Sequence, residues 1–206
     1  MNYWPVTLRE DTLVLRPLSM RDAKAFKEVR QRNRRWLARW EASSPELRGQ
    51  LPTFRQMVRH LSSQARSGSA LPFAIEFEGE FAGQLTVSGI TWGSLRSVSI
   101  GYWIDERWAG RGLVPTSVAL ATDFCFFELN LHRAEINIRP ENKASLRVVE
   151  KLGFRDEGVR EQYLHIDGEW RDHRSFALVV DDIPGGLLNY WKHVRAGEQG
   201  LAGPGA

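Results

Sequence analysis

Residues 99–120 read SIGYWIDERWAGRGLVPTSVAL, and this stretch decides the fold. It begins as a strand-like run that ends at Ile104, and it closes as an apolar helical run that begins near Leu113. A short loop with Gly110 and Gly112 lies between them. Backbone N–H groups at a helix start carry partial positive charge, and glycines let a ligand approach them closely. The stretch therefore predicts a strand–loop–helix unit that can hold a phosphate or pyrophosphate.

Two arginines in the same loop, Arg107 and Arg111, could add charge to a bound phosphate. The alternative is a plain strand-to-helix turn without a ligand. Two other phosphate loops are excluded. A P-loop needs a Gly-Lys-Ser/Thr ending, and this loop has no lysine. A dinucleotide fingerprint needs a third glycine three residues after Gly112, where this chain has Pro115.

Short strand and helix patterns continue on both sides of this unit. The strand regions are 7–18, 72–78, 81–91, 95–104, 132–139, 154–166 and 173–181. The helical patterns start at Ser19 and reach about Trp40, start after Thr53, run from Leu113 to Leu129, and start after Asn142. These patterns predict one mixed α/β (α+β) domain over residues 1–195, with a mostly antiparallel sheet of six or seven strands. We expect the Gly/Ala-rich tail, 196–206, to be disordered.

The composition excludes several protein classes. The chain has 206 residues, of which 42% are hydrophobic and 26% charged, as is typical of globular domains. A single cysteine, Cys125, excludes an internal disulfide and a cysteine-based zinc site, and the histidines lack metal-ligand spacing. No apolar run is long enough to cross a membrane, and the first residues do not resemble a signal peptide. We expect a cytoplasmic protein with no metal and no membrane partner.

The basic residues are concentrated near the N-terminus. The formal net charge of the chain is only +3, which does not indicate DNA binding. Residues 21–39 hold eight basic and two acidic residues, a formal net charge of +6. The segment is either a solvated helix face or a docking surface for an anionic partner or a ligand phosphate.

The second half of the chain adds motifs at fixed distances from the loop. Asn142-x-x-Ser145 precedes a short helix that ends in EKLGF at residues 150–154. Together with Arg107-x-x-Gly110-x-Gly112, these motifs resemble the GNAT superfamily of acyl-CoA-dependent N-acyltransferases. The resemblance covers about residues 8–182.

A closer similarity lies in GVREQYLHIDGEWRDHRSFAL, residues 158–178. This string is similar to the corresponding part of the ribosomal-protein N-terminal acetyltransferases that modify alanine or serine termini. GYWIDERWAGRG, residues 101–112, resembles the same branch.

The resemblance implies that acetyl-CoA binds where two central strands, 97–104 and 132–139, splay apart. It implies pantetheine contacts to strand backbone and pyrophosphate contacts to the loop amides. The implied cofactor-binding residues are Trp103, Ile104, Arg107, Gly110, Arg111, Gly112, Leu113, Thr116 and Asn142.

The resemblance leaves the acid and the base less defined. Many relatives use a tyrosine on the short helix to protonate the leaving thiolate, and that position is Val149 here. We expect Ser145 to replace it, although Ser145 could instead be only a helix-cap residue. Glu135 is the candidate base, acting through a water. An α-amine is partly neutral at pH 7, so no strong base is required, and a peptide N-terminus is favoured over lysine as acceptor.

The expected activity is acetyl-CoA-dependent acetylation of the N-terminal α-amine of a protein, a ribosomal protein in this branch. Two alternatives stay open: a small-amine acetyltransferase, and a non-catalytic acyl-CoA-binding module associated with the ribosome through residues 21–39. The chain would act as a monomer or homodimer. The residues expected to line the acceptor groove, unless they only fill the core, are Trp36, Trp40, Tyr163 and Trp170.

Overall fold

An eight-stranded mixed sheet organises the chain. The computed structural model describes residues 3–43, Pro45 and 52–201. The strands lie in the order β1-β2-β3-β4-β5-β6-β8-β7, and only β5 and β6 are parallel neighbours. Their bounds are β1 Leu8–Glu10, β2 Leu13–Pro17, β3 Leu71–Phe77, β4 Glu80–Thr91, β5 Ser97–Ile104, β6 Arg133–Ile138, β7 Arg155–Ile166 and β8 Glu169–Val179. The predicted mixed, mostly antiparallel sheet is confirmed.

Six α-helices cover the two faces of the sheet in the described part. Their bounds are α1 Ala23–Arg32, α2 Arg34–Leu37, α3 Phe54–Arg66, α4 Leu113–Asp123, α5 Lys143–Lys151 and α6 Leu187–Leu201. Helix α4 continues into a π-helical turn, Phe124–Glu128, so the predicted helix from Leu113 to Leu129 ends at about the predicted place.

The sheet has one strand more than the six or seven predicted. The turn at Glu10 and Asp11 divides the first strand region into β1 and β2, which pair antiparallel with Glu10 opposite Leu13. Asp11 has a φ of 50°, a left-handed conformation that aspartate tolerates in tight turns. The first strand region, in which the sequence already indicates a turn at Glu10 and Asp11, is therefore a hairpin of two strands.

The first helical pattern is also divided. Asn33 ends α1 with non-helical backbone angles, and α2 starts at the next residue. The Asn33 side chain donates to the Val29 carbonyl oxygen and accepts from the Glu106 N–H, so it ties the break to the loop after β5. The helical path then ends at Trp40. The sequence 43–45, Ser-Ser-Pro, predicts a helix end just after it, but Ser44 lies outside the described residues.

The core lies on both faces of the sheet. Helix α4 packs on one face with side chains that are completely buried, because the sheet covers one side of it and α6 the other. Helices α1 and α3 cover the opposite face, where Phe26 contacts Phe54 and Phe81. An apolar pattern around nearly the whole of α4 is typical of a helix enclosed in this way.

The last helix overlaps the predicted tail. Helix α6 extends to Leu201, so the tail expected from residue 196 starts within it, and residues 202–206 lie outside the described residues. None of the helices in the described ranges is both long and apolar enough for a membrane span. The same ranges contain no group of three or more His, Cys, Asp or Glu side chains suited to a metal ion.

A buried carboxylate ties the first helices to the loop after β5. Asp105 is 0% exposed and accepts hydrogen bonds from Arg32 at 2.7 Å, Asn33 at 2.8 Å and Arg107 at 3.0 Å. Burial alone would raise the pKa of Asp105, but the bonds from Arg32, Asn33 and Arg107 outweigh it and lower the pKa to about 2. Asp105 is therefore ionised and joins three segments of the chain.

We expect Asp105→Asn to lower the free energy of unfolding by about 2 kcal/mol at pH 6, because two guanidinium groups lose their buried partner. The difference from the parent should shrink as the pH falls from about 4 to about 2, since protonation removes the same charge from the parent. Urea denaturation at several pH values measures this difference in the free energy of unfolding. Glu106→Gln, an exposed neighbour, is the control and should change stability by less than about 0.5 kcal/mol. Equal stability of the Asp105→Asn protein and the parent at pH 6 would contradict the role of this carboxylate.

Candidate active site at the opening between two strands

A gap opens between the two parallel strands. β5 and β6 pair at only three positions, Ser97 with Arg133, Val98 with Ala134 and Ser99 with Glu135. Beyond these pairs β5 runs on to Ile104 and β6 to Ile138 without pairing to each other. The splayed central strands predicted from the sequence are confirmed, and the gap exposes strand backbone that another extended group could bond.

Alternate residues of β5 turn their backbone groups towards this gap. The Asp105 N–H donates to the carbonyl oxygen of Ala82 in β4, and a Cβ on Gly83 of the same strand would collide with the Trp103 carbonyl oxygen. Trp103 therefore faces β4. Since successive residues of a strand point their backbone groups to opposite sides, Tyr102 and Ile104 face the gap.

Trp103 and Ile104 are the two strand residues predicted to bond the cofactor through their backbone groups. Ile104 turns these groups towards the gap, and Trp103 does not. The Trp103 ring packs against Phe26 and Phe81, with ring centroids 5.8 and 5.9 Å apart. The Trp103 side chain therefore belongs to the core beneath α1, and its backbone faces β4, whereas Tyr102 has the backbone orientation that the predicted cofactor contact needs.

The glycine loop lies at the end of the gap, directly before α4. Gly110 and Gly112 have φ angles of 78° and 81°, which side chains other than glycine rarely adopt. Space is open above Gly110, where a Cβ would meet nothing within 4 Å. Leu113 starts the helix with its side chain buried, so only its backbone N–H is available to a ligand. The predicted anion-binding geometry of this loop is present.

The two loop arginines differ in their partners. The Arg107 guanidinium donates to Asp105 at 3.0 Å and lies 3.5 Å from Glu80, so the protein already neutralises its charge. Arg111 stacks 4.8 Å from the Trp108 ring centroid and has no carboxylate partner among the described residues. Arg111 therefore keeps its charge for a ligand, whereas Arg107 serves mainly to hold the loop on Asp105.

Thr116 does not have the predicted free hydroxyl. Its Oγ1 donates to the Gly112 carbonyl oxygen at 2.8 Å and accepts from Trp191 Nε1 at 2.9 Å, and the residue is only 6% exposed. The hydroxyl thus holds α6 against the start of α4, which corrects the prediction that it reaches a pyrophosphate.

Helix α6 brings a further cation to the loop. A Cβ built on Gly112 would lie 3.4 Å from Trp191 and 3.8 Å from the Arg195 guanidinium carbon. Arg195 is exposed, and no carboxylate in the described ranges pairs with it. The sequence offered no sign of this contact, because 83 residues separate the two positions.

Asn142 and Ser145 stand at the start of α5. Asn142 Oδ1 accepts from the Ser145 N–H at 3.1 Å, so the predicted cap is confirmed. The cap uses the backbone of Ser145 and leaves its hydroxyl free of Asn142. Val149, one turn later, is 0% exposed and packed in the core, so a tyrosine is neither present nor accommodated there.

Tyr102 is a neighbour of Ser145 that the sequence analysis missed. Its side chain points to the face that α5 covers, and the Ser145 hydroxyl lies close enough to interact with the phenol. Burial raises the pKa of Tyr102, and nearby Ser145 opposes this only in part. Strand alternation alone could have placed Tyr102 on the same face as Ile100 and Ile104.

Glu135 is occupied by ion pairs. One carboxylate oxygen accepts from Arg133 at 2.8 Å and the other accepts from Arg160 at 3.0 Å. Both carboxylate oxygens are thus engaged by arginines, so Glu135 would have to leave at least one ion pair to meet an amine, and its role as a base stays a prediction.

Three of the four predicted acceptor residues lie around the hairpin of β7 and β8. Trp40 lies between Arg39 and Arg139, each 5.6 Å from its ring. Tyr163 accepts from Arg160 at 3.2 Å. Trp170 is 54% exposed.

The short segment after α2, residues 41–43, reaches the same hairpin. Trp170 contacts His165, and the Nδ1 atom of His165 lies 2.8 Å from the Ser43 hydroxyl oxygen. Trp36 is half-buried on α2, and within the described residues no ring contact joins it to the other three. The Ala42–Ile166 bridge and the Ser43–His165 contact therefore place residues 41–43, directly after Trp40, beside the hairpin that carries Tyr163 and Trp170.

A buried histidine accompanies this group. His173 is 3% exposed, lies 5.7 Å from the Tyr163 ring, and donates from Nδ1 to the Arg171 carbonyl oxygen at 3.0 Å. Burial lowers the pKa of His173, so the ring is neutral at pH 7. Its role in the described structure is to support the Tyr163 ring.

Known proteins share this architecture. The family model of the acetyltransferase (GNAT) domain matches residues 12–155. The [ribosomal protein uS5]-alanine N-acetyltransferase of Escherichia coli is 32% identical over 179 residues, which are 86% of this chain and 92% of the relative. Among solved structures, Mycobacterium smegmatis RimJ in complex with CoA-disulfide is 38% identical, with a TM-score of 0.85 over 94% of this chain and 96% of that one. The ribosomal-protein-S5-alanine acetyltransferase of Vibrio fischeri is 27% identical, with a TM-score of 0.76 over 86% and 98%.

We expect Gly112→Ala to lower the free energy of unfolding by about 1–2 kcal/mol, because alanine is strained at this φ, while its Cβ would only reach van der Waals contact with Trp191 at 3.4 Å. Gly110→Ala has the same backbone strain, so its loss of stability should be similar. Thermal and urea unfolding of both variants measure these losses. A Gly112→Ala protein as stable as the parent would contradict the left-handed conformation.

Proposed function

Because the chain belongs to the GNAT acetyltransferase family, we propose that it transfers the acetyl group of acetyl-CoA to the N-terminal α-amine of a protein. The acceptor in this proposal is a ribosomal protein, and the reaction takes place in the cytoplasm. The observation that carries it is the 38% identity with RimJ, a CoA-bound structure whose fold this chain follows along 94% of its length. The 32% identity with a uS5-alanine acetyltransferase supports the acceptor class.

The residues around the gap fit acetyl-CoA, which supplies an activated acetyl thioester. The backbone of Tyr102 and Ile104 offers hydrogen bonds to an extended amide-bearing arm. The N–H groups around Gly110 and Gly112 point at the start of α4, where partial positive charge suits a pyrophosphate. Arg111 supplies a full charge beside them.

Proton transfer rests on Ser145 in this proposal. The Asn142 cap fixes the first turn of α5 and leaves the Ser145 hydroxyl available, so it can donate to the departing sulfur. The other proton leaves the amine, and water is a sufficient acceptor because an α-amine with a pKa of about 7.7–8 is partly neutral at pH 7. This explains why the ion-paired Glu135 need not act as a base.

The acceptor would approach from the side of Trp40, Tyr163 and Trp170. These aromatic side chains provide apolar walls, and Arg39 and Arg139 beside Trp40 add positive charge. The open hairpin side suits a peptide segment, whereas a small amine needs only a closed pocket.

Part of the basic segment is free to bind the ribosome. Arg30 pairs with Glu41 and Arg32 with Asp105, so their charges are used within the protein. The remaining basic side chains of the segment are exposed: Arg21, Lys24, Lys27, Arg34, Arg35 and Arg39. We propose that this surface contacts phosphate-rich partners through long-range attraction.

The test of the function is release of CoA from acetyl-CoA in the presence of short peptides. We expect turnover with free N-terminal alanine or serine, and none with the same peptides acetylated at the N-terminus, even when they contain lysine. Mass spectrometry locates the acetyl group. Turnover restricted to polyamines or other small amines would reject the protein acceptor.

We expect Arg195→Ala to weaken acetyl-CoA binding about tenfold, because it removes an unpaired charge beside the glycine loop. Lys192→Ala is the matched control on the same helix, since Lys192 pairs with Glu10 at 2.6 Å. Calorimetry gives both Kd values, and the weakening should diminish at high salt. Equal effects of the two variants would place Arg195 outside the binding site.

A further inference from the structure

Tyr102 carries a buried hydroxyl without a hydrogen-bond partner among the described residues. Native proteins satisfy most buried polar groups, because an unbonded hydroxyl in the interior costs about 1–3 kcal/mol. Phenylalanine would fill the same space without this cost. The Tyr102 hydroxyl is therefore free to take a partner at another stage of the reaction cycle, and its place in the site decides whether one is near.

The position of Tyr102 limits what this stage can be. Its backbone lies on the gap side of β5, in the part that does not pair with β6. Its ring points to the face covered by α5, where the Ser145 hydroxyl lies nearby without completing a hydrogen bond to it. Val149 and Ile104 pack with apolar side chains in the same cluster as the Tyr102 ring.

We propose that Tyr102 is a positioning residue for Ser145. When the thioester arm fills the gap, the Tyr102 hydroxyl donates a hydrogen bond to Ser145 Oγ and turns the serine O–H towards the departing sulfur. This inference rests on the proposed function, and it assigns to Tyr102 a role that is separate from binding the acyl donor.

The chemistry requires such an orientation. The amine nitrogen forms a bond to the acetyl carbon, the carbon–sulfur bond breaks, and the sulfur leaves with that electron pair. Ser145 gives its proton to the sulfur and regains one from water, while the amine loses its proton to water. Tyr102 keeps its own proton throughout, because burial raises its pKa.

A hydroxyl can donate only one proton, and its direction decides where that proton goes. Accepting from Tyr102 fills a lone pair of Ser145 Oγ and leaves the serine proton for the sulfur. A hydrogen bond accepted by the serine also strengthens the one it donates. Both effects act on the rate of transfer and not on the affinity for acetyl-CoA.

The test is Tyr102→Phe, which removes only the hydroxyl. We expect kcat to fall about tenfold, while the KM for the peptide and the calorimetric Kd of acetyl-CoA stay within twofold. The variant should be at least as stable as the parent in urea, because the lost hydroxyl has no partner. When Ser145→Ala is already present, adding Tyr102→Phe should not lower kcat any further. The double variant should therefore be no slower than Ser145→Ala alone.

The matched control is Thr122→Val on α4, which removes another buried hydroxyl without a partner in the described chain. It should leave both kcat and Kd unchanged.

Three results would overturn the inference: an unchanged kcat in Tyr102→Phe, a raised Kd of acetyl-CoA in Tyr102→Phe, or a loss of stability that shows the hydroxyl bonded in the free protein. A parent protein that acetylates no N-terminal amine would reject the proposed function itself, whereas an active parent with an equally active Tyr102→Phe rejects the role of Tyr102 alone.

Discussion

Three residue pairs join β5 to β6, and the candidate active site depends on the point at which that pairing ends. Parallel strands require a crossover connection, which here is the glycine loop followed by α4. The carboxyl ends of both strands consequently lie at one edge, so the glycine loop after β5 and Asn142 after β6 approach the same opening. A ligand can complete the interrupted sheet there with its own amides, while its phosphates reach the start of α4.

The sequence reveals these features where the determining residues are close together in the chain. Thr53 and Gln56 form the predicted capping box of α3, and Asn142 caps α5, because each cap needs contacts over only three residues. The glycine loop and the buried pattern of α4 are likewise local. The hairpin of β1 and β2 was underestimated as one strand region, although Glu10 and Asp11 already marked its turn.

The partners of polar side chains could not be predicted in this way. Arg107 and Thr116 were expected at the ligand, yet Asp105 and Glu80 engage the arginine and Trp191 engages the threonine. Trp191 is 75 residues from Thr116 in the chain, and no local pattern encodes that distance. Glu135 was likewise assigned without its Arg160 partner on β7. In each case tertiary packing supplied an opposite charge or a donor that no nearby residue in the sequence indicated.

Asp105 gives the two sides of the enzyme a common mechanical support. It is bound at once by the junction of α1 and α2, whose chain leads on to Trp40, and by Arg107 in the loop before α4. The wall that would face the acceptor and the loop that would hold the donor therefore share one buried anchor. A substitution at this anchor would consequently disturb both substrate sites together.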